Sequence, residues 1–185
     1  MSRFAFIRRN AVAILSAAIS TAVLSTGATA GGTKSTARAA MQLFADHCFS
    51  PYMTAEKAAK AFALSGASYD FYDLDPFSNV EPSPAMGRPA TPGTDRRCEI
   101  SFAGDCAETA AQVAVEALAA EGINQSAALP DGFGPQEGTQ LLAARQLNPR
   151  RVAVVHVGTR PGDAGVETFM LVERLQEGRG LEKAG

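Results

Sequence analysis

Two histidines, three cysteines and a scatter of arginines and aspartates are the side chains of this 185-residue chain that could do chemistry. His47 stands beside Cys48, the pairing a thiolate nucleophile and its base would use. On the helix predicted there, adjacent side chains diverge by about 100° and do not face each other, so the pair is not read as a dyad. His156 lies in the apolar run 152–157, where a hydrogen-bonded sheet histidine is expected and a general base is the alternative. Two histidines without paired-cysteine spacing give no zinc site, and no metal or cofactor is expected. Asp70, Asp73 and Asp75 lack the glycine and terminal glutamate of a calcium loop and are read as solvated carboxylates, the first two on opposite faces of a strand. Ser65-Gly66 and Gly138-Thr139 do not resemble a nucleophile elbow, and no P-loop or dinucleotide fingerprint occurs.

The arginines form the one remaining constellation. Arg88, Arg96 and Arg97 belong to a long segment and the strand it enters, while Arg150, Arg151 and Arg160 flank the apolar run. Guanidinium groups gathered at loop mouths can clamp a carboxylate or phosphate through paired hydrogen bonds. Arg96, Arg97 and Arg160 are therefore the candidate anion-binding residues, with solvated strand ends as the alternative.

The elements that must position these groups follow from periodicity. Ala37, Ala40, Met41, Phe44, Ala45 and Cys48 recur at helical spacing, and Pro51 ends that helix. Thr54 caps a second helix that buries Ala55, Ala58, Ala59 and Phe62 and stops at Gly66. Residues 69–74 read as a short strand. The segment 75–96, with five prolines and two glycines, reads as a long loop. Cys98, Ile100 and Phe102 alternate with Arg97, Glu99 and Ser101 as in a half-buried strand. Asp105 and Glu108 suggest a capping box for a helix over 106–121. A loop over 123–138, a short helix over 139–147, a strand over 152–157 and a returning strand over 166–175 complete the chain. The sum is an α+β fold: one domain over residues 31–175, with a mostly antiparallel sheet of about four strands and helices on one face, followed by a frayed tail over 176–185.

Three cysteines in an oxidising compartment suggest one disulfide and one free thiol. Cys48 and Cys98 both lie on core faces of elements expected to pack together, which favours their pairing. Cys106 competes, since it shares the buried side of the third helix, but it follows the strand so closely that returning to Cys98 needs a tight reversal.

An oxidising compartment is expected from the N-terminus. Arg3, Arg8 and Arg9 precede an uncharged apolar stretch over 11–24, and Ala28-Thr29-Ala30 closes it, the pattern of a secretory signal peptide over residues 1–30. The stretch falls short of the roughly 20 residues that span a bilayer, so a soluble periplasmic or secreted product without a membrane span is expected. The chain carries a formal charge of -2; removing the three signal arginines leaves -5, which offers no footprint for nucleic acid.

Cys48-Phe49-Ser50-Pro51, Tyr69-Asp70-Phe71-Tyr72, the stretch from Arg88-Pro89 through Thr94-Asp95-Arg96-Arg97-Cys98, and Ala143-Ala144-Arg145-Gln146-Leu147-Asn148-Pro149 resemble a group of short exported bacterial proteins. Some of that group carry the label of succinyl-CoA synthetase subunit beta. The label implies a longer cytoplasmic ATP-grasp ligase, and the resemblance supplies no catalytic residue. Two functions are expected from these readings: a non-catalytic binding or accessory module whose partner is a small anion or a periplasmic protein, or a small exported enzyme built from the 75–96 loop, His156 and nearby arginines. Export makes the first prediction. Intact mass of protein recovered from the periplasm should begin at Gly31, and recovery of the full-length chain from the cytoplasm would contradict it.

Overall fold

The computed structural model describes residues 30–75 and 81–181. The expected signal therefore lies outside the described residues, apart from Ala30, with which the first helix opens. The elements run α1 (Ala30–His47), α2 (Ala55–Phe62), β1 (Ser68–Asp73), β2 (Ser83–Met86), β3 (Thr94–Ala103), α3 (Ala107–Ala120), β4 (Thr139–Asn148), β5 (Arg151–Gly162) and β6 (Gly165–Leu175). The strands form a single open sheet in the order β2-β1-β3-β6-β5-β4, antiparallel at every pairing. The α+β class is as expected, with six strands among the described residues instead of about four.

The two additional strands have separate physical origins. β2 runs through Pro84 inside the segment expected to be loop. A proline lacks the N–H a central strand must donate, but an edge strand needs donors on one side only. β4 replaces the helix expected over 139–147. Its leucines, alanines, arginine and glutamine favour a helix in isolation, yet pairing with β5 from Leu141↔Val157 to Asn148↔Arg151 outweighs that local preference. Strand alternation then sends Leu141 and Leu147 to the helix side and Leu142 and Ala144 to the opposite side.

The three helices among the described residues pack on one face. Ala37, Ala40 and Phe44 of α1, Ala58 and Phe62 of α2, and Ala110, Ala114 and Leu118 of α3 join Phe71, Ile100, Val155 and Met170 in the main core. The small residues on the helices let their axes approach the sheet closely. Thr54 caps α2 as expected, its hydroxyl accepting from the Lys57 N–H at 3.3 Å. Asp105 does not cap α3: Cys106 holds that position and makes no side-chain cap bond, while Asp105 Oδ1 lies 3.5 Å from the Ala107 N–H. The β5–β6 hairpin is longer and tighter than expected, closing at Gly162↔Gly165 around Asp163 and Ala164. Residues 176–181, expected to fray, are tied back, with the Gln176 N–H donating to the Gly93 carbonyl at 3.0 Å and the Gly178 N–H to that of Arg150 at 3.1 Å. Among the described residues no helix is long and apolar enough to cross a membrane.

Cys48 and Cys98 are joined in a disulfide with Cα atoms 5.4 Å apart, linking the end of α1 to the middle of β3, and Cys106 keeps its thiol. Both bridged residues are buried. The bridge closes 50 residues of chain, for which loop entropy alone predicts about 4 kcal/mol of stabilisation. The double variant Cys48→Ala/Cys98→Ala should therefore unfold at a markedly lower denaturant concentration than the oxidised protein; an unchanged midpoint would show that the bridge contributes no stability.

Candidate functional site

Side chains alternate along a strand, so adjacent arginines on β3 cannot serve one site. Arg96 points to the helix side, where its guanidinium stacks 5.3 Å from the Phe71 ring centroid and donates to the Ser50 carbonyl at 2.6 Å. Arg97 points to the helix-free side, over the Tyr72 ring at 5.0 Å. Arg160 shares that second side, 5.1 Å from the Phe169 ring. The three candidate anion-binding arginines are thus divided between two clusters, and each is engaged with carboxylates of the chain itself.

The first cluster sits at one end of the sheet, where β1 and β6 finish and β3 and β5 begin. Thr94 pairs with Leu175 and Arg96 with Arg174, which leaves Asp95 as the extra residue of a bulge. The bulge aims Asp95 at two guanidinium groups: Oδ1 accepts from Arg174 Nε at 2.5 Å and Oδ2 from Arg151. Arg174 also donates to Asp73 Oδ1 at 2.9 Å, and Arg96 lies 3.7 Å from the other oxygen of Asp73. Asp75 completes the set by accepting from Arg151. The aspartates read as solvated carboxylates are therefore buried partners in the cases of Asp70 and Asp73, because arginines from strands distant in sequence reach them. Burial pushes the Asp73 and Asp95 carboxyls up against the opposing pull of Arg174. The hydrogen bond from Arg151 holds Asp75 down.

The second cluster lies on the helix-free face. Asp70 and Glu99 are directly opposite each other on β1 and β3, an arrangement that is repulsive unless a cation intervenes. Arg88 intervenes, donating from Nε to Asp70 Oδ2 at 3.0 Å and from Nη2 to Glu99. Arg97 donates to Asp70 at 2.9 Å and to Glu173 at 3.1 Å. Arg160 spans from Glu99 at 2.7 Å to Glu167 at 2.6 Å. The segment before β3 is tied into this cluster: the Thr91 hydroxyl donates to Glu173 at 2.5 Å, and the Pro89 carbonyl accepts from Arg97 at 3.2 Å. Gly87, at φ +80°, allows the chain to pass against the Asp70 carboxylate where a Cβ would collide.

His156 stands in the same face, edge-on to Phe169 with centroids 4.9 Å apart. It is a hydrogen-bonded sheet histidine, as expected, and its partner is Thr139 Oγ1 at 2.8 Å from Nε2. The Thr139 oxygen also accepts the Gln136 N–H at 2.9 Å, which ties the hydroxyl to the 136–139 turn as well as to the ring. Burial lowers the histidine's pKa, against the pull of Glu173 and Glu99. His47 does not join this site; its ring lies 6.2 Å from that of Phe62. Thr139 was missed in the sequence because it was placed in a helix, where no spacing relates it to His156.

Beside Thr139, an open groove of about 570 Å³ runs between the 136–138 segment and the end of the β5–β6 hairpin. Its walls include Gly138, Thr159, Arg160, Pro161 and Val166, the last 54% exposed. No family model, curated protein or solved structure matches the chain.

Magnitudes separate the two kinds of arginine. The Arg174 side chain is 2% exposed, and its removal strands buried carboxylates, whereas that of Arg88 is 54% exposed. Arg174→Met should cost at least about 3 kcal/mol of stability, and Arg88→Met less, because Asp70 keeps Arg97 and Glu99 keeps Arg160, as read from denaturant unfolding; equal losses would contradict this division.

Proposed function

We propose that this chain is an exported, soluble, non-catalytic binding or accessory protein of the periplasm or the secreted fraction, with its ligand seat in the groove beside the β5–β6 hairpin. The observation that carries this reading is the groove's composition. Pro161 and Val166 supply an apolar wall, and Arg160, about one third exposed, lies beside them. Such a seat suits a small organic anion with an apolar body: the carboxylate meets the guanidinium edge that Glu99 and Glu167 leave open, and the body covers the exposed valine. The signal-like N-terminus, the disulfide and the resemblance to short exported proteins support the export part of the proposal.

A second reading, a small exported enzyme, is favoured by one observation. The Thr139 hydroxyl is hydrogen-bonded to His156, the pairing a nucleophile makes with its base, and Arg88, Thr91, Arg97 and Arg160 converge on the same sheet face. Binding remains the first reading because neither Thr139 nor His156 lines the groove.

Backbone NMR titration with a series of alkyl monocarboxylates distinguishes the two. Shifts centred on Arg160 and Val166, weakened about tenfold (~1.4 kcal/mol) by Val166→Asp, are expected for the binding protein. ATP and CoA should produce none, since the chain carries no glycine-rich phosphate loop. Shifts confined to other surfaces would overturn the proposed seat, and ester turnover abolished by Thr139→Val would establish the enzyme.

A further inference from the structure

We propose that the paired carboxylates of Asp70 and Glu99 form a receptor for a guanidinium group, and that Arg88 occupies it as an internal stand-in for an arginine presented by a partner protein. The pair lies on the helix-free face, Asp70 directly opposite Glu99 on β1 and β3. Their side chains are 9% and 5% exposed, so bulk water does not satisfy them and each must be met by a donor. Arg88 reaches both, from Nε to Asp70 and from Nη2 to Glu99.

Charge, placement and fit set Arg88 apart from the other cations of its cluster. Among the described residues, the three guanidinium groups of Arg88, Arg97 and Arg160 face the four carboxylates of Asp70, Glu99, Glu167 and Glu173. The surplus is negative with Arg88 in place, and four carboxylates share two guanidinium groups when it leaves. Arg97 and Arg160 rise from strands, whereas Arg88 comes from irregular chain after β2, where Gly87, Arg88 and Pro89 are all exposed. Its side chain is 54% exposed against 6% for Arg97, so it returns to water at little cost and Arg97 does not. Its fit is also incomplete. Arg88 and Arg97 both bond to Asp70 Oδ2, and the buried Oδ1 has no hydrogen-bond partner. A guanidinium pairs best with both oxygens of a carboxylate, so the internal occupant leaves a buried acceptor unused.

The present occupant defines the chemistry of the next one. An ammonium is a compact point charge, while the planar fork of a guanidinium spans two carboxylates on neighbouring strands. The site already accepts an arginine carried by an exposed, irregular segment, and a loop of a partner protein presents the same group. Such an arginine competes with Arg88, which is held at an effective concentration on the order of millimolar. Binding to the intact protein is therefore weak, and it strengthens when Arg88 is lost. The Arg88 contact is in this sense autoinhibitory. The proposal does not rest on the hairpin groove: resonances of Gly87 and Asp70 report on this site, and that of Val166 reports on the groove.

Backbone NMR titration of the purified protein tests the site, with the capped tripeptide glycyl-arginyl-glycine as the probe. Weak binding that shifts Gly87 and Asp70 is expected for the natural sequence. In Arg88→Ala the same probe should bind about tenfold more tightly or better, since the internal competitor is gone. Arg88→Gln, which keeps most of the side chain's bulk without its charge, should show the same direction of change and guards against loss of fold in the smaller variant. The lysine tripeptide should bind less tightly than the arginine one, and the neutral citrulline tripeptide should not bind. Affinity unchanged in both variants, or equal for arginine and citrulline, would overturn the receptor. Ethylguanidinium binding as tightly as the tripeptide would overturn the assignment to a partner protein's arginine.

Discussion

A guanidinium taken out of water must find anions, and Arg174 finds two. Its bonds to Asp73 and Asp95 tie the end of β6 to the ends of β1 and β3, and Asp95 passes the tie on to Arg151 at the start of β5. Four strands are thereby fixed relative to one another at this end of the sheet. The β3 bulge serves the same tie, since it sets Asp95 against both arginines. The arrangement is stable because each charge has a partner, and unforgiving because loss of one leaves another buried and alone.

The helix-free face solves the same problem with a loop. Asp70 and Glu99 repel across β1 and β3, and the cation that relieves them comes from outside the sheet, on Arg88. The proline-rich segment is therefore held by charge as well as by proline stiffness, with Thr91 and Pro89 bonded to the same cluster. This explains how residues 87–93, poor in backbone donors, stay attached to a sheet face.

Where residue pattern and local preference agree, the sequence was a sound guide. The apolar stripe of α1, the Thr54 cap, the alternation along β3 and the pairing of Cys48 with Cys98 were all legible, because each depends on neighbours within a few residues or on which face a residue occupies. β4 was not legible, since its leucines, alanines and glutamine suit a helix and only the exposed edge of β5 decides otherwise. The ion clusters were hidden for the same reason. Asp73 and Arg174 lie 101 residues apart, and nothing local marks them as partners. The candidate arginines were identified by type, but strand parity, which separates Arg96 from Arg97, also determines that they do not share one site.

The strand order carries a consequence for how the chain acquires its fold. β6 is the last strand in sequence, yet it lies inside the sheet, between β3 and β5. Without it, β2, β1 and β3 form one piece of backbone ladder and β4 and β5 another, with no strand pairing between them. Each of these pieces keeps an unpaired strand edge until β6 pairs with both. Contacts of such long range slow folding and prolong the unfolded state. The native topology is reached only when the C-terminal strand slides between partners that have been waiting for it.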